Sequence, residues 1–135
     1  MALTIPAGMN AQCVCIPLIA SRQFASTTTS LTKVKPGFAG RVVGINSTIG
    51  LISGSTKPTD VDMMVLKGTT NLCSSLMAVV GSSAIVSGGA VGTLCGTTAD
   101  LEFTATDIFH LDATVTAGSS PTIDDLVGYV FVVRE

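Results

Sequence analysis

Alternation with a period of two runs through this chain and leaves it little choice of fold class. Over Thr106 to Thr116, Phe109, Leu111, Ala113 and Val115 fall on one side of an extended backbone, and Ile108, His110 and Asp112 fall on the other. That is the signature of an antiparallel strand with one face in a core and one toward solvent. Val61, Met63 and Val65 alternate with Asp62, Met64 and Leu66 in the same way. No apolar stripe at three-to-four spacing persists long enough for a helix. The residue types agree, since 15 Val, 9 Ile and 18 Thr make 42 β-branched residues of 135, and branching at Cβ favours the pleated conformation. The expectation is an all-β protein.

Turn residues divide the pattern into about eight strands. Ala11 to Ile19 reads as the first. Thr27 to Val34 is the second, centred on Leu31 and stopped by Lys35-Pro36-Gly37. Phe38 to Ile52 is the third, with Val43 and Ile45 expected on one face and Val42 on the other; Gly40, Gly44 and Gly50 permit bulges or close sheet approach. Val61 to Lys67, Asn71 to Val80, Ala84 to Cys95 and Thr106 to Thr116 follow. Leu126 to Arg134 is apolar on both faces, as befits a central strand or one covered by another subunit. Uneven connections favour two packed sheets, an antiparallel β-sandwich of jelly-roll type, over an up-and-down barrel. The length, 135 residues, suits one domain over residues 11–135. Residues 1–10, with Leu3, Ile5, Pro6, Gly8 and no charge, read as an extended N-terminal arm whose apolar side chains need a surface elsewhere.

Charged residues are 12% of the chain and hydrophobic ones 47%, with a mean hydropathy of +0.61. So apolar a composition excludes disorder, and so little charge makes a lone monomer sticky, so a homo-oligomer is expected. The net charge of −2 offers no electrostatic footprint for nucleic acid or anionic lipid. Gly68 to Ala99 carries no charge over 32 residues, but 16 of them are Gly, Ser or Thr, too polar a mix to span a bilayer. Met1 to Ser21 lacks the basic start of a signal peptide, so neither membrane nor export is expected.

Chemistry-bearing residues are few. Cys13 and Cys15 sit one residue apart in a strand, so both thiols share a face; with Cys73 and Cys95 they are read as buried free thiols acting as small hydrophobes, a disulfide or a metal site being the alternatives. The sole histidine, His110, shares a face with Asp112, a pair able in principle to orient a general base, but no nucleophile stands out among 13 serines. Asp60 with Asp62, Asp100 with Glu102, and Asp124 with Asp125 lack the EF-hand spacing and read as turn-capping or solvated acids. Gly88-Gly89-Ala90-Val91-Gly92 lacks the Lys-Ser/Thr of a phosphate cradle and reads as a bend in a strand. Six aromatic residues without tryptophan supply no stacking platform for single strands or sugars. The expectation is a non-enzyme with no catalytic residues, cofactor or metal.

Ile16-Pro17-Leu18, Lys35-Pro36-Gly37-Phe38-Ala39-Gly40-Arg41-Val42, Phe103-Thr104-Ala105-Thr106-Asp107 and Asp125-Leu126-Val127-Gly128-Tyr129-Val130-Phe131-Val132-Val133 occur in order along the chain. In that order, over roughly residues 11 to 134, the chain resembles the small β-sandwich decoration, or cement, proteins of tailed-bacteriophage capsids. The resemblance implies a virion protein made in the host cytoplasm, a homotrimer on the outer surface of the major capsid protein lattice, stabilising the shell rather than catalysing a reaction. Leu3 and Ile5 of the arm are the candidate interface residues. The alternative is a fibre or tail β-module that recognises a host surface; such a binder usually displays aromatic and charged anchors, in which this chain is poor.

Overall fold

The computed structural model describes residues 13–20, 26–53, 60–73, 77–78, 88–91, 93–95, 97–116 and 122–135. The proposed arm, with Leu3 and Ile5, lies outside them. The described strands are β1 (Cys13–Ile19), β2 (Thr28–Val34), β3 (Gly40–Ser53), β4 (Asp60–Lys67), β5 (Thr70–Asn71), β6 (Met77–Ala78), β7 (Gly88–Val91), β8 (Glu102–Phe103), β9 (Phe109–Thr116) and β10 (Thr122–Arg134); one helical turn, α1 (Thr98–Leu101), precedes β8.

All pairings are antiparallel and form two sheets. The first runs β1-β10-β3-β7, with β8 also on β3; the second runs β2-β9-β4-β5, with β6 also on β4. The outermost strands of the chain thus pair with each other (β1 with β10), then the next (β2 with β9), then β3 with β7 and β4 with β5 and β6. A long hairpin rolled onto itself has this nesting, and it is the jelly roll. The β-sandwich expected from the sequence is the fold observed.

Period two decides what lies between the sheets. β4 buries Val61, Met63 and Val65, and β9 buries Phe109, Leu111 and Ala113, while the residues between them stay half-buried or exposed. Facing them from the first sheet are Ile16 and Leu18 of β1, Val42, Ile45 and Ile49 of β3, and Leu126, Val130 and Val132 of β10. Each such side chain contributes about 1.5–3 kcal/mol by leaving water. The sheets approach closely over Gly128, where a Cβ would sit 3.2 Å from Leu111 and 3.7 Å from Leu18 and Val65. At one end Phe103 packs edge-on between Phe38 and Phe109, with centroids at 5.8 and 5.1 Å, and the Arg134 guanidinium lies over Phe38.

Three expectations are corrected. Val43 does not share a face with Ile45. The register shifts between Phe131 and Val132, pairing Val132 with Val42 and Phe131 with Gly44, so Val43 is an extra residue in a β-bulge. Val42 and Ile45 are therefore both buried, and Val43 is 43% exposed. Cys13 and Cys15 are not core hydrophobes. Both are exposed, because the inward positions of β1 belong to Ile16 and Leu18; Cys73 is buried and Cys95 half-buried, and all four are free thiols. Lastly, the chain is not strand and turn throughout. Thr97 caps α1 by accepting the Asp100 N–H, and its hydroxyl donates to the Asp100 carboxylate. One turn is too short to show a helical period.

Candidate functional site

The two sheets present unlike outer faces. On the second sheet, register places Lys33, His110 and Leu66 side by side, and Asp112 beside Met64. Asp62 and Thr114 extend that row. It is a mixed, largely polar surface of the usual kind.

Its chemistry is closed on itself. Nδ1 of His110 lies 3.4 Å from Asp112 Oδ1, and Nε2 lies against the Gly68 carbonyl oxygen. The same Asp112 oxygen accepts the Ser30 N–H at 2.7 Å. Ser30 has φ +53, a left-handed conformation rare for a residue with a side chain, and this hydrogen bond holds it there. The pair singled out in the sequence does meet, and each imidazole nitrogen faces an oxygen, Asp112 Oδ1 on one side and the Gly68 carbonyl on the other. It ties β2, β9 and the turn after β4 together.

Two acidic side chains have structural roles, one of them, Asp100, from the clusters singled out in the sequence. Asp100 belongs to the α1 cap, and Asp107 accepts the Thr104 N–H at 2.7 Å. Lys67 donates to the carbonyls of Ala99 and Glu102 at the end of α1. Among the described residues no three His, Cys, Asp or Glu side chains are grouped to hold a metal ion. Burial pushes the Cys73 thiol up from its ordinary pKa, against a lowering hydrogen bond from the Val65 backbone and with Cys95 nearby adding a smaller upward push.

The outer face of the first sheet is different. Its register sets Cys13 beside Val133 and Arg41, Cys15 beside Phe131 and Gly44, Pro17 beside Tyr129 and Asn46, and Ile19 beside Val127 and Thr48. Cys13, Cys15, Pro17 and Ile19 are exposed, Ile19 at 58%, and Val43 adds its side chain at the bulge. Val127, Tyr129, Phe131 and Val133 are half-buried. Arg41 and the exposed Glu102, which β8 sets opposite it, are the charged side chains of these rows. An apolar sheet face on a small protein is a candidate interaction surface. The apolar character of both faces of β10 signalled it in the sequence; the contribution of Cys13 and Cys15 was missed.

No protein-family model matches the sequence, and no curated protein does. Among solved structures, the chain is similar to one in the infectious bursal disease virus VP2 subviral particle, at 11% identity and a TM-score of 0.49, over 99% of this chain and 37% of that one. It is also similar to a chain of the cyanophage Pam1 capsid asymmetric unit, at 16% identity and a TM-score of 0.42, over 98% and 94% of the two chains. This chain thus spans little more than a third of the VP2 chain and nearly the whole of the cyanophage one. At such identities no residue role passes from either to this chain.

Proposed function

We propose that the protein is a structural part of a viral shell, a decoration or cement protein that binds the outer surface of an assembled capsid. The observation that carries this reading is the contrast between the two outer faces: one sheet is polar and self-satisfied, whereas the β1-β10-β3 face is apolar and nearly free of charge. A surface of that kind suits broad protein-protein contact and offers nothing to nucleic acid. The jelly roll is used in viral capsid domains as well as in lectins and cupins.

In this reading the partner is the major capsid protein, and the chain acts as a homotrimer whose weak contacts are multiplied by multivalency. Residues 1–10, through Leu3 and Ile5, supply one of those contacts. A ligand that binds only the intact lattice stabilises it by RT ln(1 + [L]/Kd). Particles carrying the full-length chain are then expected to release their genome at a higher temperature than bare particles, with an arm-deleted chain in between. If bare and decorated particles release their genomes at the same temperature, the decoration reading fails and a fibre or tail module for host recognition takes its place.

A further inference from the structure

Cys13 and Cys15 put two soft donors side by side on the outer face of the first sheet. Both thiols are free and exposed. β1 pairs with β10 in unbroken register from Cys13 to Ile19, so the backbone is extended there and residues two apart share a face. The register also fixes their neighbours. Val133 lies beside Cys13 and Phe131 beside Cys15, both half-buried and neither able to ligate.

Spacing decides what such a pair can do. Two residues of extended strand set the two Cβ atoms about 6.6 Å apart. A disulfide needs them at about 3.5–4.5 Å, so the pair cannot close on itself without distorting the ladder. A shared metal ion asks for less. With metal–sulfur bonds of about 2.3 Å, two thiolates on opposite sides of one ion stand about 4.6 Å apart. Side chains in a strand can lean along it, so Cys13 Sγ leaning forward and Cys15 Sγ leaning back can reach that separation. The donor set then selects the ion. Among the described residues no third His, Cys, Asp or Glu is grouped with the pair. Structural zinc takes four ligands, and calcium and magnesium take oxygens. Thiolates select soft ions, and copper(I), with its filled d shell, is satisfied by two of them in line.

We propose that Cys13 and Cys15 form a two-coordinate site for a soft monovalent cation, copper(I). Each thiol gives its proton to water as its sulfur bonds the ion, so each copper displaces two protons and no electron is transferred. The side chains of Val133 and Phe131 flank the pair and offer the ion no competing donor. The site does not depend on the shell-binding reading, and it is tested on the free protein.

The full-length protein, reduced and kept free of oxygen, is titrated into copper(I) held by excess bicinchoninate, whose colour falls as copper is taken up. One copper per chain is expected, with sedimentation unchanged. Cys13→Ser and Cys15→Ser should each weaken uptake about a hundredfold or more, because the strand presents the second thiolate at high effective concentration. Cys95→Ser should leave uptake as it was. Val14→Cys combined with Cys15→Ser restores two thiols on opposite faces of the strand, and should bind as weakly as Cys15→Ser alone. These positions are exposed or half-buried, and circular dichroism checks the fold of each variant. No uptake from the chelator, one copper shared between two chains, or undiminished uptake by either single variant of the pair would overturn the site. Recovery in the double variant would overturn the same-face geometry.

Discussion

Replacing Ser47 by alanine is expected to stabilise this protein. Ser47 lies in the middle of β3, opposite Gly128 on β10 and Ala90 on β7, and shares the inward parity of Ile45 and Ile49. It is 1% exposed, the one buried polar residue among those described, and its hydroxyl oxygen has no hydrogen-bond partner there. An unpaired buried hydroxyl costs about 1–3 kcal/mol in lost hydration. Removing it leaves an oxygen-sized void of roughly 10–15 Å³, which at about 24 cal/mol per Å³ costs ~0.2–0.4 kcal/mol. Desolvation outweighs the void several-fold, so the net gain is about 1–2 kcal/mol. In a domain of this size that raises Tm by roughly 3–8 °C. Thermal melts followed by circular dichroism measure it, with urea unfolding to confirm that the midpoint rises at constant slope. A lower midpoint at unchanged slope would refute the reasoning, because it would mean that the hydroxyl makes a hydrogen bond in the folded protein.

Gly40→Ala should do the opposite, since a Cβ there falls 2.3 Å from the Val133 carbonyl oxygen and 2.9 Å from Phe103 Cζ; a loss of about 1–3 kcal/mol in urea unfolding is expected for such overpacking. Thiol titration of the native protein at neutral pH should label Cys13 and Cys15 quickly and Cys73 only on unfolding, read by peptide mass mapping. Because the folded pKa of Cys73 is raised, the unfolded chain ionises that thiol first as the solution turns alkaline. Its stabilising contribution is thus complete below the ordinary cysteine range and is lost above it, so Cys73→Ala should flatten the alkaline fall in Tm.

The fold was legible because the core depends on alternation and little else. Val61, Met63 and Val65 on β4, and Phe109, Leu111 and Ala113 on β9, could be assigned inward from spacing alone, and they are buried. Alternation fails where the count of residues between partners changes. Gly40 and Gly44 announced that β3 would be irregular, but only the pairing of Val132 with Val42 and Phe131 with Gly44 shows that Val43 is the extra residue and that parity flips across it. The α1 turn escaped for a related reason: its signal is the Thr97 cap with Asp100, a local hydrogen bond with no periodicity.

The apolar outer face was only half legible, for a reason that lies in the pattern itself. Both faces of β10 are apolar, which requires cover on both sides without saying what supplies it. The structure shows that the second sheet covers one side, through Leu111 and Val65 over Gly128. Among the described residues, the side carrying Val127, Tyr129, Phe131 and Val133 has only the neighbouring side chains of β1 and β3 beside it. Cysteine was misleading here, because its usual burial argued that Cys13 and Cys15 belonged inside. In β1 that preference competes with Ile16 and Leu18 at the opposite parity, and burying two large aliphatic side chains outweighs burying two small thiols. The thiols were therefore forced outward onto the face that β10 leaves open. The same competition makes that face apolar at the edge strand as well as across the sheet.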